Sequence, residues 1–235
     1  MFLAKHHPVT PSAISNLELW LDANDPSTFT LNAGKVSNWA DKSGNGNDYP
    51  QGTAASQPPY IDGASGQKLV DFTFDGSENH LIGPFTSALN IVNSDYEFFF
   101  VWKSPVLTVR SYFYSVLGSS FLSGLDAFGN YEHLPKGGLT KALLLGAFDD
   151  TIMHCSSSRV ESDVSKVRVD RVDGGTTATP ARSSTNNDTW IGLYRGAVGR
   201  WAGQIAEILL YSRALSVPER DAVEISLMNK WGIPV

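Results

Sequence analysis

The chain carries one cysteine, Cys155, among 235 residues. A lone thiol excludes a disulfide framework, so stability must come from a hydrophobic core. Charge is also scarce: Asp, Glu, Lys and Arg together make up 18%, and the formal net charge is −6. Basic residues form no cluster, which excludes the phosphate-neutralising stripe that nucleic acid or an anionic membrane would require. The longest apolar runs, Phe98 to Trp102 and Ala142 to Phe148, are too short to span a bilayer. The opening residues Met1 to Pro8 lack the apolar stretch of a secretory signal. Together these absences predict synthesis in the cytoplasm without a signal peptide, no membrane insertion and no nucleic-acid partner.

Signatures of catalysis are missing as well. Glu-x-Asp-x-Glu, which would set carboxylates about 6–7 Å apart on one strand face as glycoside hydrolysis needs, does not occur. Glu161 and Asp163 fall between expected strands, and Asp170 and Asp173 straddle a strand and a turn. There is no Gly-x-Ser-x-Gly elbow and no phosphate-binding Gly-x-x-x-x-Gly-Lys-Ser/Thr loop. His154 precedes Cys155 directly, and neighbours on a strand face opposite sides, so the imidazole cannot serve as a base for that thiol. Cys155 reads as a buried thiol, and no catalytic residue is assigned. His6 and His7 have no acidic or cysteine partners at metal-ligand spacing.

What is present is turn and strand material. There are 21 glycines and 12 prolines, and aromatics reach 11%, a composition of many short strands joined by turns. Without a linker-like tract the chain reads as one domain. Leu17 to Asp22, Val36 to Trp39, Gln67 to Phe74, Glu97 to Lys103, Arg110 to Leu117, Leu143 to Ala147, Thr151 to Cys155, Lys166 to Val172, Thr189 to Leu193 and Gly203 to Tyr211 carry strand patterns. About a dozen strands in two antiparallel sheets are expected. The last strand is apolar on both faces and belongs at the centre of a sheet. Asp173-Gly174-Gly175 predicts a hairpin turn. Leu122 to Leu139 reads as a long irregular loop around Asp126, Asn130, Tyr131 and Glu132.

One helix closes the chain. Ser216-Val217-Pro218-Glu219 is a capping box, Ala222, Val223, Ile225, Leu227 and Trp231 form an apolar stripe, and Gly232 supplies the left-handed stop.

The strand from Trp190, the strand to Tyr211 and this capped helix resemble the closing segment of the concanavalin A-like, laminin-G-like β-sandwich superfamily. At the other end, Leu19-Trp20-Leu21-Asp22-Ala23 followed by Trp39-Ala40-Asp41-Lys42-Ser43-Gly44-Asn45-Gly46 resembles the entry motif of bacterial and phage members. The resemblance implies an all-β, two-sheet antiparallel jelly-roll sandwich over residues 15–235 with one C-terminal amphipathic helix, preceded by an arm, residues 1–14. It further implies non-catalytic recognition of glycans or proteins. Domains resembling this one sit on phage tail fibres, baseplates and capsid surfaces. The leading expectation is therefore a virion surface protein, a capsid decoration or tail-fibre adhesin, whose arm docks on a capsid or tail protein and whose loops meet a cell-surface glycan, as a homo-oligomer or alone. A free lectin-like carbohydrate-binding module is the alternative, and a glycoside hydrolase or lyase the third.

Candidate ligand contacts are loop aromatics and their polar neighbours: Tyr49, Tyr60, Asp126, Asn130, Tyr131, Glu132, Tyr194 and Arg195. A pyranose needs an exposed ring to stack on and polar groups to fix its hydroxyls. Trp20, Trp39, Trp102, Trp190 and Trp201 lie in or beside strands and read as core. No cofactor is required. Calcium is the most credible ion: Asp41, Ser43, Asn45, Asn47 and Asp48 set oxygens at near-alternate positions around two glycines, as hard cations prefer. The same residues also encode a plain Asx turn, and no glutamate closes the loop. Asp75, Ser77 and Glu78 form a weaker second candidate.

Overall fold

Period-two alternation places successive side chains on opposite sheet faces, and in this chain both faces of the central strands find partners. The structure is a computed structural model that describes residues 9–73, 78–84, 95–104, 110–116, 121–136, 140–146, 148, 151–179, 188–193 and 199–235. Its first strands are β1 (Leu17–Asp22), β2 (Phe29–Asn32), β3 (Lys35–Trp39), β4 (Tyr49–Pro50), β5 (Tyr60–Asp62), β6 (Lys68–Asp71) and β7 (Leu81–Gly83). Then come β8 (Tyr96–Lys103), β9 (Ser111–Val116), β10 (Phe121–Leu125), β11 (Tyr131–Lys136), β12 (Thr140–Leu144), β13 (His154–Glu161), β14 (Val164–Val169) and β15 (Val172–Ala178). The chain ends with β16 (Thr189–Ile191), β17 (Gln204–Tyr211) and the helix α1 (Val217–Trp231).

The expected antiparallel sandwich is present. One sheet runs β15-β14-β13-β8-β17-β6-β5, with β1 also paired to β17, and the facing sheet runs β12-β11-β10-β9-β16-β7. A small third sheet, β2-β3-β4, was not expected. The core lies between the two large sheets. Phe98 packs on Tyr114 at 4.9 Å between ring centroids, Phe100 on Phe113 at 4.6 Å, and Trp102 meets Trp201 edge-on at 5.6 Å. The alternate residues of β8, Glu97, Phe99 and Val101, pair with Tyr211, Leu209 and Glu207 of β17 on the opposite face, and that face is covered by α1.

Strand β17 sits centrally, between β8 on one side and β1 and β6 on the other. The capping box forms as read from the sequence: the Glu219 carboxylate accepts the Ser216 backbone N–H at 2.9 Å, and Gly232 stops the helix at φ 70°. Val223, Ile225, Leu227 and Trp231 are buried as expected, while Ala222 is only half-buried. Met228 and the carboxylate-bearing Glu224 join the buried face instead. The described part of the arm lies on the sandwich itself: the Tyr211 hydroxyl donates to the Pro11 carbonyl at 3.1 Å, and the Ser226 hydroxyl to that of Val9 at 2.9 Å.

Three expectations are corrected. The strand placed at Thr151 to Cys155 begins at His154 and runs to Glu161 through Ser156-Ser157-Ser158. A serine run reads as loop, yet small hydroxyl side chains fit beside the bulky β8: the Trp102 indole N–H donates to the Ser156 hydroxyl at 2.9 Å, and Ser158 bonds the Tyr131 hydroxyl at 2.7 Å. The second correction concerns the hairpins. Ser162-Asp163 and Asp170-Arg171, all at positive φ, turn the chain around β14, the geometry of tight two-residue hairpins. Asp173-Gly174-Gly175 lies inside β15. A Cβ on Gly174 would come within 2.8 Å of the Leu144 Cβ and a Val167 methyl, so glycine answers close packing there rather than a turn. Finally, Leu122 to Lys136 is largely not an irregular loop but the β10–β11 hairpin, whose turn is tied by Asp126 accepting from the Phe128 and Asn130 backbones.

Candidate functional site

Register builds the site. Across the helix-covered face of the large sheet, Tyr211, Glu97, Arg159, Lys166 and Thr176 stand directly opposite one another on β17, β8, β13, β14 and β15. The next row on the same face is Leu209, Phe99, Ser157, Arg168 and Asp173. The half of these rows nearest β17 is mostly apolar, with Phe99 and Tyr211 in edge contact. Toward β15 the rows become polar. There a cleft of about 210 Å³ opens between the sheet and the start of α1.

Its helical wall presents Arg220, Asp221 and Glu224, neighbours on one helix face. The Arg168 guanidinium donates to Asp221 at 2.9 Å and to Glu224 at 3.0 Å. Ser157 donates its hydroxyl to Glu224 at 3.1 Å, and Arg159 pairs with Glu161 at 2.7 Å. Glu97 accepts the Leu215 backbone N–H at 2.9 Å through Oε2. Its Oε1 and the Nε atoms of Arg159 and Arg220 are buried with no hydrogen-bond partner among the described residues.

Burial pushes the Glu97 carboxyl up from 4.5 to about 7, against the Leu215 hydrogen bond and the Arg159 and Arg220 charges. Burial raises Glu224 likewise to about 7, opposed by Arg168 and Arg220. Because the folded values lie above the unfolded ones, each group contributes stability that is complete below about pH 4.5 and lost as pH rises toward 7. Glu97→Gln should therefore gain about 1–3 kcal/mol over wild type at pH 8, shrinking toward zero at pH 5. Urea denaturation at the two pH values checks this; equal gains at both would refute it.

The residues singled out in the sequence do not converge here. Tyr49 is fully buried, with its hydroxyl 3.2 Å from that of Tyr114 and accepting from Thr189 at 2.8 Å. Tyr131 and Glu132 are also fully buried, the latter accepting from the Tyr112 hydroxyl and pairing with Arg110 at 2.8 Å. None of these offers an exposed face: the large rings that looked like loop platforms fill the sandwich instead. Tyr60 is half-buried, its ring 4.3 Å from that of Phe29 and its hydroxyl donating to the Ala23 carbonyl. Asp126 and Asn130 organise the β10–β11 turn, with the Asn130 amide donating to both Asp126 oxygens. Tyr194, Arg195, Asp75 and Ser77 lie outside the described residues. Glu78 is described and pairs with Arg200.

The loop from Asp41 to Asp48 is tied to β1. Asp41 accepts the Trp20 and Ser43 backbone N–H groups at 2.9 and 2.8 Å through one oxygen, and the Ser43 hydroxyl and Asn47 N–H at 2.6 and 3.1 Å through the other. Asp48 accepts the Asp41 N–H, while Asn45 and Asn47 donate their amides to the Leu17 and Glu18 carbonyls. These oxygens serve the backbone, as an Asx turn does, and calcium would have to displace those donors. Millimolar calcium is expected to leave the melting temperature unchanged, whereas Asp41→Ala should cost about 1–3 kcal/mol through donors left unmet. Differential scanning calorimetry with and without chelator tests both.

Glu97, Arg159, Arg168, Arg220 and Glu224 went unnoticed in the sequence. Two carried a signal: Glu97 is the charged residue inside an aromatic strand, and Glu224 interrupts the apolar helix stripe. Cys155 sits on the same sheet face, buried, with its thiol pushed well up by desolvation. His154 pairs instead with Asp170 at 2.6 Å.

No family model matches the chain, and no curated protein matches its sequence. Its fold is shared with solved structures. The binding domain of Paraclostridial Mosquitocidal Protein 1 superposes with a TM-score of 0.69 at 14% identity, covering 96% of this chain and 56% of that one. Botulinum neurotoxin type C, whose cell entry depends on interaction with two ganglioside molecules, gives 0.65 at 10% identity over 90% of this chain and 51% of that one. Trypanosoma rangeli sialidase, bound to a difluorinated nononic acid, gives 0.59 at 14% over 97% and 36%. The chain thus spans about half the length of the two toxin structures, or less of the sialidase. At these identities the likeness establishes the β-sandwich fold.

Proposed function

We propose that this chain is a non-catalytic recognition module for glycans. The observation that carries the reading is the open polar cleft between α1 and β13–β15, built on a rigid sheet and lined by charged groups that can meet hydroxyls. Its carboxylate and hydroxyl are engaged with each other rather than poised for chemistry: both oxygens of Glu224 already accept hydrogen bonds, from Ser157 and Arg168, and the Ser157 hydroxyl in the cleft is the one donated to Glu224. Toxin binding domains and a sialidase share the sandwich, which supports a recognition role by fold-level analogy. A glycan array probed with the full chain should return selective binding, and incubation with the same glycans should release no reducing sugar. Absence of binding to any glycan, or sugar release, would overturn the reading.

The Leu19 to Ala23 and Trp39 to Gly46 resemblance to phage domains favours a setting for this module on a virion surface, with a capsid or tail protein as partner. Since Val9 and Pro11 hydrogen-bond to the sandwich, the deletion that tests this setting is residues 2–8. The sandwich should fold and incorporation into particles should fail; unchanged incorporation would exclude docking through that segment.

A further inference from the structure

Four buried polar atoms with no hydrogen-bond partner among the described residues lie on residues lining one cleft: the Glu97 Oε1, an acceptor, and the Arg159, Arg168 and Arg220 Nε–H groups, donors, of which that of Arg168 is ion-paired with Asp173 at 3.2 Å. Glu97 is 0% exposed and Arg159 8%. A buried polar atom with no partner is costly, and in native folds it asks for an explanation. The register accounts for how they meet, since Glu97 and Arg159 are direct cross-strand partners and Arg220 projects from the first turn of α1 above them. Near them, Arg168 forms ion pairs with Asp173, Asp221 and Glu224 at 3.2, 2.9 and 3.0 Å. Their mutual pairing leaves the cleft close to electroneutral, without the excess positive charge that would select a polyanion.

We propose that this cleft binds a single sugar residue through a pair of adjacent hydroxyls, each donating or accepting at the Glu97 carboxylate and the Arg159 and Arg220 guanidinium Nε groups. This deepens the glycan-recognition reading and rests on it. A hydroxyl both donates and accepts, so two neighbouring hydroxyls complement an acceptor and donors lining one cleft, which an apolar or purely anionic group does not. Size agrees: about 210 Å³ is below the range typical of drug-sized ligands and suits one monosaccharide unit. Among the described residues no aromatic side chain lines the cleft, so recognition there proceeds through charge-assisted hydrogen bonds rather than ring stacking. Thr176, exposed on the edge strand β15, stands at the mouth.

The test uses the full chain and free monosaccharides: neutral hexoses, N-acetylhexosamines and uronic acids at millimolar concentration. Side-chain Nε–Hε signals of Arg159 and Arg220, assigned with Arg159→Lys and Arg220→Lys, should shift on titration with at least one neutral sugar. Thr176→Trp, a bulky change at an exposed lining position, should weaken that binding at least about tenfold, as should Glu97→Gln, while both variants keep the wild-type circular dichroism. Sugar binding that leaves the two arginine signals unmoved and is insensitive to Thr176→Trp would place the site elsewhere and overturn the proposal, with the recognition reading intact. A response to uronic acids alone would overturn the hydroxyl-pair chemistry. No response to any sugar here, together with an empty glycan array, would overturn both readings.

Discussion

Glu207→Ala is expected to lower stability by about 3–5 kcal/mol, because two indole N–H donors lose their acceptor at about 1–3 kcal/mol each and a void is left beneath the helix. Glu207 is 1% exposed and lies on the central strand β17 beneath the C-terminal helix. One of its oxygens accepts the Trp20 indole N–H at 2.8 Å; the other accepts the Lys230 ammonium and the Trp231 indole N–H, each at 2.6 Å. A single carboxylate thereby joins β1, β17 and the last turn of α1. Burial pushes its pKa up, and Lys230 opposes that shift. Alanine would leave the buried Trp231 N–H unmet and open a void, while Lys230 would keep its second partner, Asp22, at 2.8 Å. Urea denaturation followed by tryptophan fluorescence measures the loss, and helix release should show as reduced ellipticity before global unfolding. A change below about 1 kcal/mol would mean that the bracket contributes no more than a surface pair.

Trp102→Ala should cost about 3–5 kcal/mol, as large-to-small changes at buried aromatics do. Trp102 is fully buried between the sheets, with Phe113 at 5.7 Å, Tyr131 at 6.3 Å, His154 at 5.1 Å and Trp201 at 5.6 Å between centroids. The cluster draws on both sheets, so the cavity cannot close by moving one strand. Loss of the indole also removes the donor to Ser156. Against a total stability of about 5–15 kcal/mol for a native protein, this variant should melt far below wild type. Thermal denaturation followed by near-UV circular dichroism reports it; a melting temperature within about 2 °C of wild type would contradict the packing described.

Both residues show how much could be read in advance. Strand β17 was recognisable from its apolar alternation, and its central place from the fact that both faces are apolar. Glu207 within it was invisible as a bracket, because its partners Trp20, Lys230 and Trp231 come from the two ends of the chain. The Ser156-Ser157-Ser158 strand escaped for a related reason: β-propensity reflects the fit of a side chain to its neighbours, and here those neighbours are the aromatic rings of β8 and β11. Conversely, Tyr49 and Tyr131 looked like loop platforms because local pattern does not report burial.

By itself the sequence determined the local structure: alternating strands, the turn-rich composition, the Ser216 to Glu219 cap and the Gly232 stop. These depend on neighbours a few positions away, and a capping box or a left-handed glycine works wherever it is placed. The tertiary structure alone decided which polar groups meet. Glu97, Arg159 and Thr176 share a row only because β8, β13, β14 and β15 pair in one register, and a shift of one residue would turn every one of them to the opposite face.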